Sequence, residues 1–186
     1  MHKLAVIFNG PPGCGKDTLA ERLKPYGFQQ FAMKEQLYKA SADYFGLPVE
    51  DFRDMATDRK TKEMPTRKLM KGKWRLSPRQ AMILLSEDIL KPLYGKSYFG
   101  QMTAEECRRV KASHVAISDG GFVEEVQPIR MLFDRTAVIR LHREGFDFEG
   151  DSRSYLEGLP DTYDLNLVEG AIDDAVTAIL RIIFPA

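Results

Sequence analysis

Cysteine, histidine and tryptophan are scarce: two, three and one in 186 residues. Cys14 and Cys107 stand far apart in no ligand spacing, so neither a disulfide framework nor a zinc cluster organises this chain. The histidines are scattered and form no catalytic set. Net charge is missing too, with 27 Lys and Arg against 27 Asp and Glu. That balance leaves no bulk field to hold duplex nucleic acid, although a local basic patch still suits a phosphorylated small molecule. No apolar run approaches the roughly 18–20 residues of a membrane span. The first run, Leu4–Phe8, has no cleavage site behind it, so the expectation is no signal peptide, no membrane partner and a cytoplasmic location. Internal repeats and low-complexity tracts are absent.

What remains is the composition of an ordinary soluble protein, 44% hydrophobic and 29% charged, at a length that favours a single domain over 1–186. His2–Phe8 reads as a buried strand entering the tight loop Asn9–Gly13. Lys16–Lys24 carries Leu19, Ala20 and Leu23 on one helical face and stops at Pro25. Phe28–Ala32 is a second strand. Lys34–Phe45 is a helix, with Leu37, Ala40, Tyr44 and Phe45 on one side. Asp51–Trp74 holds eight Lys or Arg among 24 positions, and reads as a mobile loop or a short helical insertion on the acceptor side (51–76). Ser77-Pro78 caps and opens a helix through about Lys91, and another helix falls around Ala104–Ala112. His114–Ser118 is a central strand, followed by a helix to about Phe133 and a strand at Ala137–Leu141. A polar stretch beginning at His142 follows, with residues 142–155 expected to form a mobile lid. A short strand near Asp164–Val168 and a helix over Ala171–Ile183 complete the pattern. Strands alternating with helices predict a three-layer α/β/α phosphate-loop NTPase fold with a mainly parallel sheet of about five strands. Ligands then belong at the carboxyl ends of the strands.

Gly10-Pro-Pro-Gly13-Cys14-Gly15-Lys16-Asp17-Thr18 has the G-x-x-x-x-G-K spacing of a phosphate loop, between a strand and a helix. Glycines let backbone N–H groups turn inward around phosphate oxygens, the helix start favours the anion further, and Lys16 supplies an ammonium to the outer phosphates. Gly10, Gly13, Cys14, Gly15, Lys16, Asp17 and Thr18 are therefore the ATP-binding set. Cys14 fills space and carries no redox role. Where the pattern asks for Ser or Thr to hold magnesium, this chain has Asp17. A carboxylate is a hard oxygen ligand for Mg²⁺; alternatively, Asp17 is an exposed first-turn residue favoured by the helix dipole. Asp119, at the tip of an apolar strand, faces the metal or the acceptor, or else belongs to an ordinary Asp-Gly-Gly turn. Cations for phosphoryl transfer are sought among Arg59, Lys62, Arg79, Arg140, Arg143 and Arg153. Trp74 reads as core. Tyr98-Phe99 reads as core or as an aromatic platform for a base.

The Gly-Lys-Asp-Thr form of the loop resembles the deoxynucleoside monophosphate kinases of bacteriophages, within the nucleoside monophosphate kinase group. Shorter matches occur in the same order: Phe31-Ala32 before a Lys-bearing helix, Lys62-Glu-Met-Pro65, Ser77-Pro-Arg-Gln80, Ile117-Ser-Asp119 before Phe122, Val138-Ile-Arg140 leading to Arg143, and Glu157-Gly-Leu-Pro160. The resemblance implies catalytic roles for Lys16, Arg143 and Asp119, with Arg143 and Arg153 in the lid and Asp17 toward the metal. It places the acceptor among Lys34, Lys39, Arg59, Arg79, Ser86, Phe99 and Asp119. It further implies ATP and a (deoxy)nucleoside monophosphate as substrates, Mg²⁺ as cofactor, a monomer or homodimer, and the host cytoplasm for a viral chain. Three positions depart from that pattern. Gly121 and Lys91 stand where arginines are usual, and Arg153 where a histidine is. Two rival readings are a phosphate-loop kinase of another small metabolite and a nucleotide-dependent switch without an acceptor; against the switch, no Asn-Lys-x-Asp motif is present.

Overall fold

A computed structural model describes residues 2–151 and 153–185. The chain divides into two compact units, 1–33 with 100–186, and 34–99. The first unit is built on a five-stranded sheet: β1 (Leu4–Asn9), β2 (Gln29–Phe31), β5 (His114–Ile117), β6 (Arg135–Arg143) and β7 (Thr162–Leu167) in the order β2-β5-β1-β6-β7. All four pairings are parallel, with Leu4 opposite both His114 and Arg135. Every residue of β1 is buried, as a strand covered on both faces must be. Alternation sends Leu4, Val6 and Phe8 to one side, where they join Leu19, Ala20 and Leu23 of α1 (Lys16–Arg22) and Ala175, Val176, Ile179 and Ile183 of α8 (Ile172–Ile183). Ile7 faces the other side, where Gly120 packs against it. The helices there are α7 (Val123–Leu132) and α6 (Tyr98–Arg109). They approach so closely that a Cβ on Gly100 would lie 2.0 Å from the Glu125 carbonyl oxygen. This is the three-layer α/β/α arrangement expected from the sequence. The last carbonyls of α8, on Ile182 and Ile183, accept hydrogen bonds from the Arg135 guanidinium, which satisfies groups that a helix end leaves without partners.

The second unit holds α2 (Met33–Phe45, from Lys34 on), α3 (Val49–Thr57), a hairpin of β3 (Thr66–Lys71) and β4 (Trp74–Leu76), and a long irregular helix. Its core gathers Tyr38, Ala42, Phe52, Ala56, Leu69 and Ala81. The stretch expected as a loop or a helical insertion is thus a helix followed by an antiparallel hairpin. Phe52 and Leu69 supply the burial that its charge count concealed. Trp74, expected in the core, is 77% exposed at the hairpin tip. On α2 the buried residues from Lys34 on are Gln36, Tyr38, Ser41 and Ala42, whereas Leu37, Ala40 and Phe45 are half-buried and Tyr44 is exposed, so the anticipated apolar face is displaced. The helix opening at Ser77 has the anticipated cap in full, since Ser77 Oγ accepts from the Gln80 N–H and the Gln80 amide accepts from the Ser77 N–H. It then widens into a π-helical stretch, Leu84–Leu90, and ends in α5 (Lys91–Tyr94) beyond α4 (Pro78–Ile83). Pro92 has no N–H for the carbonyl four residues back, and irregular turns accommodate such gaps. Among the described residues no helix is long and apolar enough to cross a membrane.

Candidate active site

β1 is the point from which the chain leaves in opposite directions along the sheet, with β5 on one side and β6 on the other. Crevices at such points, beyond the carboxyl ends of the strands, are where open parallel sheets bind ligands. The loop of residues 10–15 lies there. Gly13 and Gly15 have φ of 79° and 118°, a region that penalises any Cβ. Gly10 is held differently: a Cβ would meet the Leu141 carbonyl oxygen at 2.9 Å and Cys14 Sγ at 3.0 Å. Cys14 is fully buried beneath the loop, in keeping with its space-filling assignment. The Lys16 ammonium folds back over the loop and donates to the carbonyls of Gly10 at 2.7 Å and Pro11 at 2.5 Å. The charge is thereby set at the loop mouth. Asp17 and Thr18 are exposed on the first turn of α1.

Asn9, the last residue of β1, is the residue that sequence reasoning missed. Its amide, 1% exposed, donates to the carbonyls of Gly120 at 2.9 Å and Ser154 at 3.1 Å, and its oxygen accepts from the Leu156 N–H at 3.0 Å. One side chain thus ties the phosphate loop's entry to the β5–α7 turn and to the segment before β7. An amide ending an otherwise apolar strand was the available signal, but it read as a turn former. Asp119 is positioned by the same turn. Gly120 N donates to the Phe8 carbonyl at 3.0 Å, and Asp119 accepts from the Met33 N–H at 2.7 Å. Asp119 is therefore fixed at the strand ends rather than swinging on a surface turn.

Arg143 terminates β6. Its guanidinium lies 4.7 Å from the centre of the Phe146 ring, a cation–π contact, and that ring in turn would lie 3.1 Å from a Cβ on Gly13. Arg143 is thereby brought to the rim of the phosphate loop. A cavity of about 190 Å³ opens beside it, lined by Cys14, Gly15, Thr18, Arg143, Leu167–Ile172 and Ala175. Its wall after β7 carries no residue that the sequence singled out, because nothing local marks it.

The anticipated lid is anchored over much of its length. β6 includes His142 and Arg143. Beyond them, Tyr155 Oη donates to the Leu141 carbonyl at 3.0 Å, and Leu156 is tied to Asn9. Arg140 and His142 both bond Asp164 on β7. The Arg140 guanidinium, then His142, holds that carboxyl below the usual carboxylate range, and the Arg140 pKa is raised in return. Arg153 is not loose either: Nε and Nη2 grip the Asp151 carboxylate at 2.8 and 2.6 Å. Two of the three departures from the kinase pattern meet here, since the Arg153 stem crosses Gly121.

The remaining acceptor candidates lie in the second unit. Arg79 is exposed; its guanidinium contacts Glu63 at 3.3 Å and its N–H donates to the Lys62 carbonyl. Arg59 and Lys39 are exposed and Lys34 half-buried. Ser86, within the π-helical stretch, is 6% exposed and donates to Glu87 at 2.7 Å. Phe99 is 4% exposed, with its ring edge-on to Tyr98.

No family model matches the chain, and no curated protein matches its sequence. Solved structures do. A sugar kinase from Janibacter sp. HTCC2649 aligns with 100% of this chain and 97% of its own, at 12% identity and TM-score 0.51. The Thermus thermophilus protein TT1252 aligns over 97% of each, at 15% and 0.51. What is shared with these structures is the fold, three α/β/α layers around a five-stranded parallel sheet. A dephospho-CoA kinase from Campylobacter jejuni is more distant, at 12% identity and TM-score 0.48 over 98% of both chains. At such identities the likeness concerns the fold alone.

Magnesium can be tested against the donors present. Among the described residues no group of three or more His, Cys, Asp or Glu could hold a metal. One exposed carboxylate, Asp17, stands on the first turn after the loop. That donor set does not make a resident metal cage, but it fits Mg²⁺ arriving with a nucleotide, which keeps waters and takes one or two carboxylates plus phosphate oxygens.

Proposed function

We propose that this chain is a nucleoside monophosphate kinase, moving the terminal phosphoryl group of ATP to a (deoxy)nucleoside monophosphate. The observation that carries the reading is the Lys16 ammonium held over the glycine loop at the end of β1, where a triphosphate's outer oxygens meet backbone N–H groups and a positive charge together. Thr18, Gly15 and the segment 167–172 form the cavity beside the loop, which takes the nucleoside half of ATP. Mg²⁺, held by Asp17 and the phosphates, would neutralise charge on the triphosphate.

The chemistry asks little of the protein beyond placement and charge. An ionised phosphate oxygen of the acceptor bonds to the γ-phosphorus as the bond to the β–γ bridging oxygen breaks, and ADP leaves with that electron pair. No proton needs to be removed first. Lys16 and Arg143 stabilise the oxygens that gain charge, and Asp119 orients the acceptor. The acceptor phosphate is assigned to Arg79 with Arg59, and the acceptor's remaining contacts to Lys34, Lys39, Ser86 and Phe99. The lid arginine is Arg143. The part of the lid that moves is 144–150, bounded by Gly145 and Gly150 at φ of 78° and 71°; closing it excludes water from the transfer.

The test is ADP release in a coupled assay with ATP and Mg²⁺, against a panel of ribo- and deoxynucleoside monophosphates, with Lys16→Ala as control. Turnover with one or a few monophosphates, lost in the control, is expected. ADP release that no monophosphate raises above the ATP-only rate would overturn the acceptor assignment and leave only the nucleotide-binding loop.

A further inference from the structure

Gly121, in the turn between β5 and α7, is not a glycine for the sake of its own backbone, since its φ is outside the left-handed region occupied by Gly13 and Gly15. What the position requires is the absence of a side chain. A Cβ there would lie 2.5 Å from Cδ of Arg153 and 3.0 Å from its Cγ, closer than carbon atoms approach. Nor can the arginine step aside cheaply. Its Nε and Nη2 make a bidentate pair with Asp151, and its backbone N–H donates to the same carboxylate at 3.0 Å. Such forked pairs fix the guanidinium plane as well as its charge. Asp151 is 13% exposed and Arg153 30% exposed, so the pair is sunk into the surface with one edge reachable. Nε and Nη2 are taken up by Asp151, and Nη1 is not part of that pair. The Arg153 pKa is raised by Asp151 first and, against the effect of burial, by Asp119 and Glu125 as well, which puts the cation in the electrostatic neighbourhood of the strand-end carboxylate.

We propose that Arg153 is the cation that meets the acceptor beside Asp119, braced by Asp151 and seated on the bare Cα of Gly121. This rests on the kinase reading above and adds one residue to it: Arg153, expected from the sequence in the lid, becomes a fixed wall of the acceptor site. The pairing is complementary: Asp119 is anchored by the Met33 N–H and can only accept, whereas Arg153 can only donate. An acceptor bound there is read by one donor and one acceptor whose spacing is set by Gly121.

Steady-state kinetics with the monophosphate that the wild type uses best test this. Arg153→Ala should raise the KM for that monophosphate by on the order of tenfold or more, as loss of a charge-assisted hydrogen bond does, while the KM for ATP stays within about twofold. Arg153→Met, which keeps the stem on Gly121 without the charge, should show the same split, with a melting temperature lowered because the Asp151 carboxylate loses its bidentate partner. Gly121→Arg should be impaired because two stems contend for one space. The double substitution Arg153→Ala with Gly121→Arg should recover most of the lost affinity by placing a cation in the emptied space from the other side. Arg153→Met with wild-type KM values, a parallel rise of both KM values, or a double variant no better than its parents would each overturn the proposal while leaving the kinase reading intact. A wild type that phosphorylates no monophosphate would overturn both.

Discussion

Replacing Asn9 should loosen the site without touching any ligand group. The side chain makes three hydrogen bonds, to the carbonyls of Gly120 and Ser154 and from the N–H of Leu156, and is 1% exposed. An alanine removes all three and leaves two buried backbone groups, Gly120 O and Leu156 N, with no water to replace the lost partner. At about 1 kcal/mol per bond, with more for groups left unsatisfied, the expected loss is about 3 kcal/mol. For a chain of this length that is a fall of roughly 6–12 °C in melting temperature. Asn9→Asp sharpens the test, because it sets a carboxylate oxygen near 3 Å from two carbonyl oxygens. Burial and that repulsion favour the neutral acid, so the folded-state pKa of the new aspartate is raised. The folded variant then binds more protons than its unfolded chain, and its stability falls as pH rises from about 4 through the raised value. Thermal melts at pH 5 and pH 8 should show Asn9→Asp nearer to wild type at the lower pH, with Asn9→Ala pH-independent relative to wild type. Amide exchange at Leu156 should quicken in both. A loss below about 1 kcal/mol in Asn9→Ala, or a Leu156 amide as protected as before, would refute this account of how the strand ends are held together.

Two further outcomes are expected. In Asp17→Ser the Mg²⁺ concentration for half-maximal activity should change, because the carboxylate both attracts the ion and, without it, repels the triphosphate; identical magnesium curves would remove Asp17 from the metal. Asp164, held ionised by Arg140 and His142, contributes stability above the ordinary carboxylate pKa that is lost as pH falls through its depressed value. Asp164→Asn should flatten the acid limb of the stability profile, by less than about 1 kcal/mol since the side chain is half exposed, and an unchanged acid limb would count against the pair.

Periodicity and punctuation made the first unit legible. Continuous apolar runs became fully covered parallel strands, and Gly and Pro marked the loop; in the second unit Ser77-Pro78 announced a helix cap. The second unit resisted because its burial is carried by isolated residues, Phe52 and Leu69, among charges that solvate the rest. β6 ran two residues further at each end than its apolar centre suggested. Arg135 and Arg143 extend the strand with polar side chains that bond helix ends and rings, and hydropathy alone does not register such contacts.

By itself the sequence determined the glycine loop, its lysine and the parallel sheet behind it, because these rest on local backbone chemistry: glycine where φ is positive, an ammonium on the first residue of a helix, β-branched residues in buried strands. Only the tertiary structure decided that Asn9 joins three separate segments, that Phe146 carries Arg143 to Gly13, and that Gly121 is bare so that Arg153 can lie across it. Asn9 alone reaches segments 111 to 147 positions away, and no local propensity encodes such relations.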